Sequence, residues 1–234
     1  MNQPVRYVAM VVAILISAGE AFALDTLLSP LYIAGKIGVS AMSASDITNT
    51  SGGGGGPSLT KTDSHNTVVP GGVAIGYNWR KHGVPLRTEF EYLTRANFGY
   101  TSIPVLANPG TPIGLTSKTG SQTLFANVFY DFHNATLFTP FIGGGIGVAI
   151  NKSTTTLNFI GSPVFDTFET TDTKFAWNIG AGVALPITEI LLLELSYRYT
   201  DLGGAVWSTN TGAFELTTNS LRANEFLLAA RLQF

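Results

Sequence analysis

The chain carries few side chains suited to covalent chemistry. It has three histidines, His65, His82 and His133, and no cysteine. His65 follows Asp63 and Ser64, and Ser, His and Asp together are the parts of a hydrolase. Catalysis also needs those groups held in a fixed geometry, which a stretch of Ser, Thr and Gly does not supply, so His65 is expected to be a polar loop residue. The run Gly52 to Gly56 lacks the Gly-Lys-Ser/Thr ending of a phosphate loop and reads as a flexible linker. No cluster suggests a metal site, and no catalytic residue, cofactor or metal is expected. A different chemistry is suggested by charges at even spacing. Arg87, Glu89, Glu91 and Arg95 share one phase, and Glu194 with Arg198 and Glu225 with Arg231 are likewise separated by even steps. Such residues line up on one side of an extended chain, where they can pair with one another.

The elements that would position them are strands. Pro85 to Phe98 sets Leu86, Thr88, Phe90, Tyr92 and Phe98 against Arg87, Glu89, Glu91, Leu93 and Arg95. The same period of two recurs in Pro30 to Met42, Val68 to Arg80, Ser121 to Phe132, Phe138 to Asn151, Thr173 to Leu185, Ile190 to Thr200 and Leu221 to Phe234. In the last segment Phe226, Leu228, Ala230, Leu232 and Phe234 are apolar, while Glu225, Arg231 and Gln233 lie between them. Short turns alternate with long polar stretches at Ser43 to Thr67, Gly99 to Gly120, Lys152 to Asp172 and Asp201 to Ser220, which are expected to be loops. An even number of strands, with short turns at one rim and long loops at the other, predicts an all-β, eight-stranded, antiparallel, up-and-down transmembrane barrel. Pro70, Pro85, Pro140 and Pro186 fall near segment ends, where they cost no ladder bond deep in a sheet.

Composition decides which way the apolar faces point. A soluble eight-stranded barrel of the lipocalin kind hides them inside and clothes the outside in charge. Only 12% of these residues are charged, against about 25% in soluble domains, so the apolar faces are expected to meet lipid. A formal net charge of −2 offers no electrostatic case for nucleic acid. Arg6, the apolar run Val8 to Ile16 and Ala21-Phe22-Ala23 form the charged, hydrophobic and cleavage regions of a signal peptide, so residues 1–23 are expected to be a cleavable export signal and 24–234 the barrel domain. The aromatics fall into two levels, Tyr77, Trp79, Tyr130, Phe132, Phe138 and Phe234 at the short-turn end and Phe98, Phe175, Trp177, Tyr197, Tyr199 and Phe226 at the other, as girdles at two lipid interfaces would.

With apolar faces outward, the charges point into the lumen. Lys36, Arg87, Glu89, Glu91, Arg95, Lys174, Glu194, Arg198, Glu225 and Arg231 are expected to form an ion-pair network there, with Arg80 and Asp131 also lining the interior. An eight-stranded barrel is just wide enough for side chains to fill. A plug is therefore favoured over the alternative of a narrow, charge-lined diffusion channel. Gly143, Gly145, Gly147, Gly180 and Gly182 are expected to make room for long Arg and Glu side chains from the third, seventh and eighth strands. A hydrolase sited in the loops is the third reading.

The segments Phe125-Ala126-Asn127-Val128-Phe129-Tyr130-Asp131-Phe132, Thr139-Pro140-Phe141-Ile142-Gly143-Gly144-Gly145-Ile146-Gly147 and Glu194-Leu195-Ser196-Tyr197-Arg198-Tyr199-Thr200-Asp201-Leu202-Gly203, with the terminal Phe234, resemble the small opacity-protein and OmpA-like barrels of Gram-negative bacteria. The likeness spans the chain from about Leu31 onward. It implies a non-enzymatic, porin-like surface antigen in the cell outer membrane, among lipid and lipopolysaccharide, inserted by the barrel-assembly machinery. On this resemblance Phe226, Leu228, Leu232 and Phe234 form the sorting signal read during assembly, and the loops serve adhesion to host surface molecules or act as antigens. No periplasmic peptidoglycan-binding domain follows Phe234, so wall anchoring is not implied.

Overall fold

A computed structural model describes residues 30–49, 64–107, 111–159, 165–208 and 215–234. The expected signal segment, residues 1–23, and the glycine run lie outside them. Ten strands form one antiparallel sheet that closes on itself: β1 (Leu31–Asn49), β2 (Ser64–Val68), β3 (Pro70–Asn78), β4 (Leu86–Ala107), β5 (Thr111–Asp131), β6 (Thr139–Phe159), β7 (Phe165–Pro186), β8 (Leu191–Asp201), β9 (Ala205–Ser208) and β10 (Glu215–Gln233). β2 and β3 run in one register against β1, interrupted at Val69. β8 and β9 share one register on β10, interrupted at residues 202–204. The barrel therefore has eight staves, closed by the pairing of β1 with β10.

Its geometry follows from the registers. Stepping from partner to partner leads from Ile33 to Ile75, Phe90, Ala126, Ile146, Trp177, Asp201 and Arg222, and back onto β1 at Ser43. The circuit returns ten residues from where it began. A stagger of ten over eight strands tilts them by about 40° to the barrel axis. Because the stagger is even, inward and outward residues stay in phase around the closure.

That phase separates the side chains sharply. Phe90 is 72% exposed, Phe175 65% and Phe226 61%, while Arg87 and Glu225 are 0% exposed. Aromatics outside and ion pairs inside are the reverse of a soluble barrel, and they match a wall immersed in hydrocarbon. Outward rings cluster at two levels. Tyr77 lies 4.6 Å from Trp79 and Tyr130 4.9 Å from Phe132 beside the short turns, while Trp177 meets Tyr199 at 5.6 Å and Tyr197 meets Phe226 at 5.2 Å further up. Trp177 stands ten residues above Ile187 in the β7–β8 turn. At the observed tilt that is about 25 Å, the height of an outer-membrane apolar band.

The short turns are built locally. After β3 a 3-10 turn spans Trp79–His82; the Asn78 carboxamide accepts the Arg80 N–H at 3.1 Å, and Gly83, at φ 76°, donates its N–H to the Arg80 carbonyl at 2.9 Å. Glycine suits that left-handed position. The other rim corrects the expectation of four long loops. β4 and β5 remain paired from Phe98–Thr119 up to Ala107–Thr111, with register shifts after Arg95 and Tyr100, and β6 and β7 from Asn151–Asp172 up to Asn158–Phe165. β1 likewise continues to Asn49 against β10. Much of the supposed loop chain is strand, because threonine-rich segments such as Thr154-Thr155-Thr156 favour extended backbone as readily as apolar ones do.

Candidate functional site

The inward side chains of β1, β4, β5, β8 and β10 converge into two joined clusters. In the upper one Glu225 is the hub. Arg95 donates to it in a fork, Nε to Oε1 at 2.8 Å and Nη2 to Oε2 at 3.0 Å. Arg198 donates to Oε2 through Nε at 3.1 Å and Nη2 at 2.9 Å, and the Thr200 hydroxyl adds a bond at 3.0 Å. Arg198 also reaches down, its Nη1 2.7 Å from Glu91 Oε1. Lys36 Nζ then joins Glu91 Oε2 at 2.6 Å to Glu89. Planar guanidinium forks matched to carboxylates are the strongest form of such pairing.

The lower cluster is centred on Arg87. Its Nε donates to Asp131 at 2.8 and 3.0 Å and its Nη1 to Glu194 Oε1 at 3.1 Å, while Arg231 Nη1 lies 2.8 Å from the same Glu194 oxygen. The Arg87 guanidinium lies against the T-shaped pair of Phe129 and Phe141, 4.9 Å from the first ring and 5.1 Å from the second. Tyr32 joins the clusters: its ring lies 5.2 Å from the Arg231 guanidinium and its hydroxyl donates to Glu89 at 3.3 Å. Lys36, Arg87, Arg95, Arg198 and Arg231 thus face Glu89, Glu91, Asp131, Glu194 and Glu225, five charges of each sign. Burial of unpaired charge is costly, and equal numbers in mutual contact offset much of that cost, although Arg87 Nη2 and Arg231 Nε have no hydrogen-bond partner. A space beside Lys36, Glu194 and Arg198 is a cavity of about 30 Å³.

Two residues of the expected network stand apart. Lys174 is on the inward face of β7 but near its upper rim, with its side chain 39% exposed and its Nζ 3.7 Å from Asp172. Arg80 is exposed in the 3-10 turn below the lumen. The glycine row meets its expectation in part: Gly180 stands opposite Arg198, whose Cβ would lie 3.2 Å from a Cβ added there, but other positions differ. A Cβ on Gly143 would meet Phe129, on Gly145 the Asn127 carboxamide, on Gly182 the Phe141 ring and on Gly76 the Tyr32 ring. Each of those side chains belongs to the residue directly opposite its glycine. In a narrow barrel the side chain nearest a bare glycine is its cross-strand partner, which is an aromatic ring or Asn127 at these positions and Arg198 at Gly180. The inward rings Tyr32, Phe125, Phe129 and Phe141 are absent from the sequence-derived site. Their phase with Lys36, Asn127, Asp131 and Gly143 is the signal that could have placed them there.

Phe226 and Leu228 are exposed on the outward face of β10, whereas Leu232 is 6% exposed; the Phe234 N–H donates to the Leu31 carbonyl at 3.1 Å. His82 stacks on Tyr77 with its Nε2 2.9 Å from the phenol oxygen, and His133 is exposed in the β5–β6 turn, both at the short-turn rim. The His65 side chain lies outside the described residues. Among the described residues no group of three His, Cys, Asp or Glu side chains converges as a metal site.

The chain is 28% identical over 219 residues to the outer membrane protein PagN of Salmonella typhimurium, covering 87% of this chain and 90% of that protein. It is also 28% identical over 149 residues to a putative adhesin, RC1281, of Rickettsia conorii, covering 62% of this chain and 58% of the adhesin. Among solved structures it is similar to the outer membrane protein OprG of Pseudomonas aeruginosa, with 14% identity, TM-score 0.47 and coverage of 88% and 97%, and to Neisserial surface protein A, with 17% identity, TM-score 0.46 and coverage of 88% and 98%. A family model for the outer membrane protein beta-barrel domain matches residues 9–234. A closed eight-stave barrel with an apolar exterior and a match over nearly its whole length place the chain in the outer membrane protein beta-barrel domain family, and so in the bacterial outer membrane.

Proposed function

We propose that this protein is a non-catalytic surface barrel whose projecting hairpins contact host-cell surface molecules, while its lumen serves as a structural plug. The observation that carries this reading is the division of the molecule. The lumen is filled by paired charges, and β4–β5 and β6–β7 continue as paired strands beyond the upper aromatic level. Specific function on a rigid scaffold concentrates in such projections. The similarity to a putative adhesin supports the same reading. Proposed partners during biogenesis and residence are the barrel-assembly machinery, with Phe226, Leu228, Leu232 and Phe234 as its signal, and outer-membrane lipid.

The test is deletion at each of the four upper connections, beginning with Ser51 to Thr60, in cells that display the protein. Each variant is expected to keep the heat-modifiable, folded barrel, and at least one to lose host-cell binding. Unchanged binding in all four deletions would exclude adhesion through these segments.

A further inference from the structure

The inward face of the barrel changes character toward the outer rim. On β10 the phase that carries Arg231 and Glu225 continues to Leu221. On β8 Glu194 and Arg198 are followed by Thr200 and, just past the strand, Leu202, and on β1 Lys36 is followed by Ser40 and Met42. Leu202 and Leu221 each stand four residues beyond Arg198 and Glu225, about 10 Å further up at the barrel's tilt. Val68 of β2 pairs Ser40 and joins the same layer. Allowing for the stagger, Met42, Val68, Leu202 and Leu221 fall within about 4 Å of one height.

All four are buried: Met42 and Leu221 are 1% exposed, Leu202 0% and Val68 7%. The Leu202 N–H donates to the Leu221 carbonyl and the Leu221 N–H to the Gly203 carbonyl, both at 2.8 Å. Buried Ser121 and Asn151 complete the ring from β5 and β6, and the Asn151 carboxamide donates to the Leu202 carbonyl at 3.4 Å. Exposure falls sharply across this layer. Lys174, inward on β7, keeps 39% of its side chain exposed, whereas Ser40, the next inward residue below Met42, is 0% exposed.

We propose that Met42, Val68, Leu202 and Leu221 form an apolar seal across the outer mouth of the lumen, a barrier to external water and ions separate from the ion-pair plug beneath it. An apolar constriction excludes water because it offers too few hydrogen-bond partners. A dry layer above Arg95, Arg198 and Glu225 also keeps their mutual attraction strong, since solvent is not there to screen it. The inference rests on the reading of the lumen as filled, and the two fail separately. A lumen that excludes solvent by its ion pairs alone is still a plug, but it has no seal.

The chain has no cysteine, so a single introduced thiol reports alone. Ser40→Cys places one beneath the seal, and Thr171→Cys places one on the exposed outward face of β7 above it. Each full barrel is folded into phosphatidylcholine nanodiscs, checked for its heat-modifiable form and treated with a charged methanethiosulfonate reagent. Ser40→Cys is expected to react about a hundredfold more slowly than Thr171→Cys, and adding Leu202→Ser with Leu221→Ser should speed it about tenfold. Glu194→Gln, which disturbs the ion pairs and spares the seal, should speed it less. If the double serine variant does not fold, Met42→Ser is read in its place. A Ser40→Cys rate close to that of Thr171→Cys, no acceleration when the folded seal is made polar, or an equal or larger acceleration from Glu194→Gln would overturn the assignment.

Discussion

Glu225 holds the upper cluster together. Its two oxygens accept from Arg95, Arg198 and Thr200, and it is 0% exposed. Glu225→Gln keeps the shape but leaves two guanidinium groups without their shared anion. It is expected to lower stability by about 3–5 kcal/mol in urea unfolding from vesicles. Thr200→Val, which deletes one neutral donor to the same carboxylate, should cost about 1 kcal/mol. Equal losses for the two variants would show that Glu225 is no hub. The contributors to this site were legible because charge on an otherwise apolar strand fixes its phase: Arg87, Glu89, Glu91 and Arg95 announce themselves. Their pairing was not legible. That Glu225 on β10 meets Arg95 on β4 depends on the barrel's width and stagger, which only the registers define.

Among the strands, the facing of a ring against a bare backbone is what lets the narrow barrel close over bulky residues. A Cβ on Gly76 would lie 2.1 Å from Tyr32 Cζ, whereas one on Gly71, on the outward face of the same strand, would meet only the Lys36 carbonyl at 3.9 Å. Gly76→Ala should therefore cost about 1–3 kcal/mol, as overpacking does, and Gly71→Ala should be nearly neutral. The comparison is made by urea titration of the two variants side by side; a neutral Gly76→Ala would remove the steric role of that glycine. Period-two patterning placed the membrane strands well but truncated the hairpins. Its signal is contrast between faces, and Thr154-Thr155-Thr156 has none, although Thr154 pairs Glu169 and Thr156 pairs Thr167. Phe129 and Phe141 escaped for a related reason. An aromatic ring reads as lipid-facing by type, and only its phase with Asp131 and Gly143 reveals that it points inward.

For the whole molecule, the question is whether the lumen conducts. Arg95 and Arg198 meet at Glu225, Lys36 spans Glu89 and Glu91, and Arg87 and Arg231 meet at Glu194, so the charged layers succeed one another along the axis. Planar-bilayer recordings of the purified protein are expected to show no steady ion-selective conductance. A stable, selective open level would instead support the narrow-channel reading. Fold class and wall orientation followed from the scarcity of charge and the period of two, which are properties of the whole chain. A plug is expected from the barrel's width alone; its division into two joined clusters followed only from assembling every stave.

The junction of β1 with β10 carries a consequence in time. It joins residues at opposite ends of the chain, from Tyr32 with Gln233 to Asn49 with Leu216. Every other junction between staves joins strands much nearer in sequence. Contacts of such long separation form slowly, because the intervening chain must already be ordered before they are rewarded. Until that seam zips, two strand edges with unpaired amides face hydrocarbon, which is strongly unfavourable. The closing seam therefore belongs to the last kinetic step of insertion.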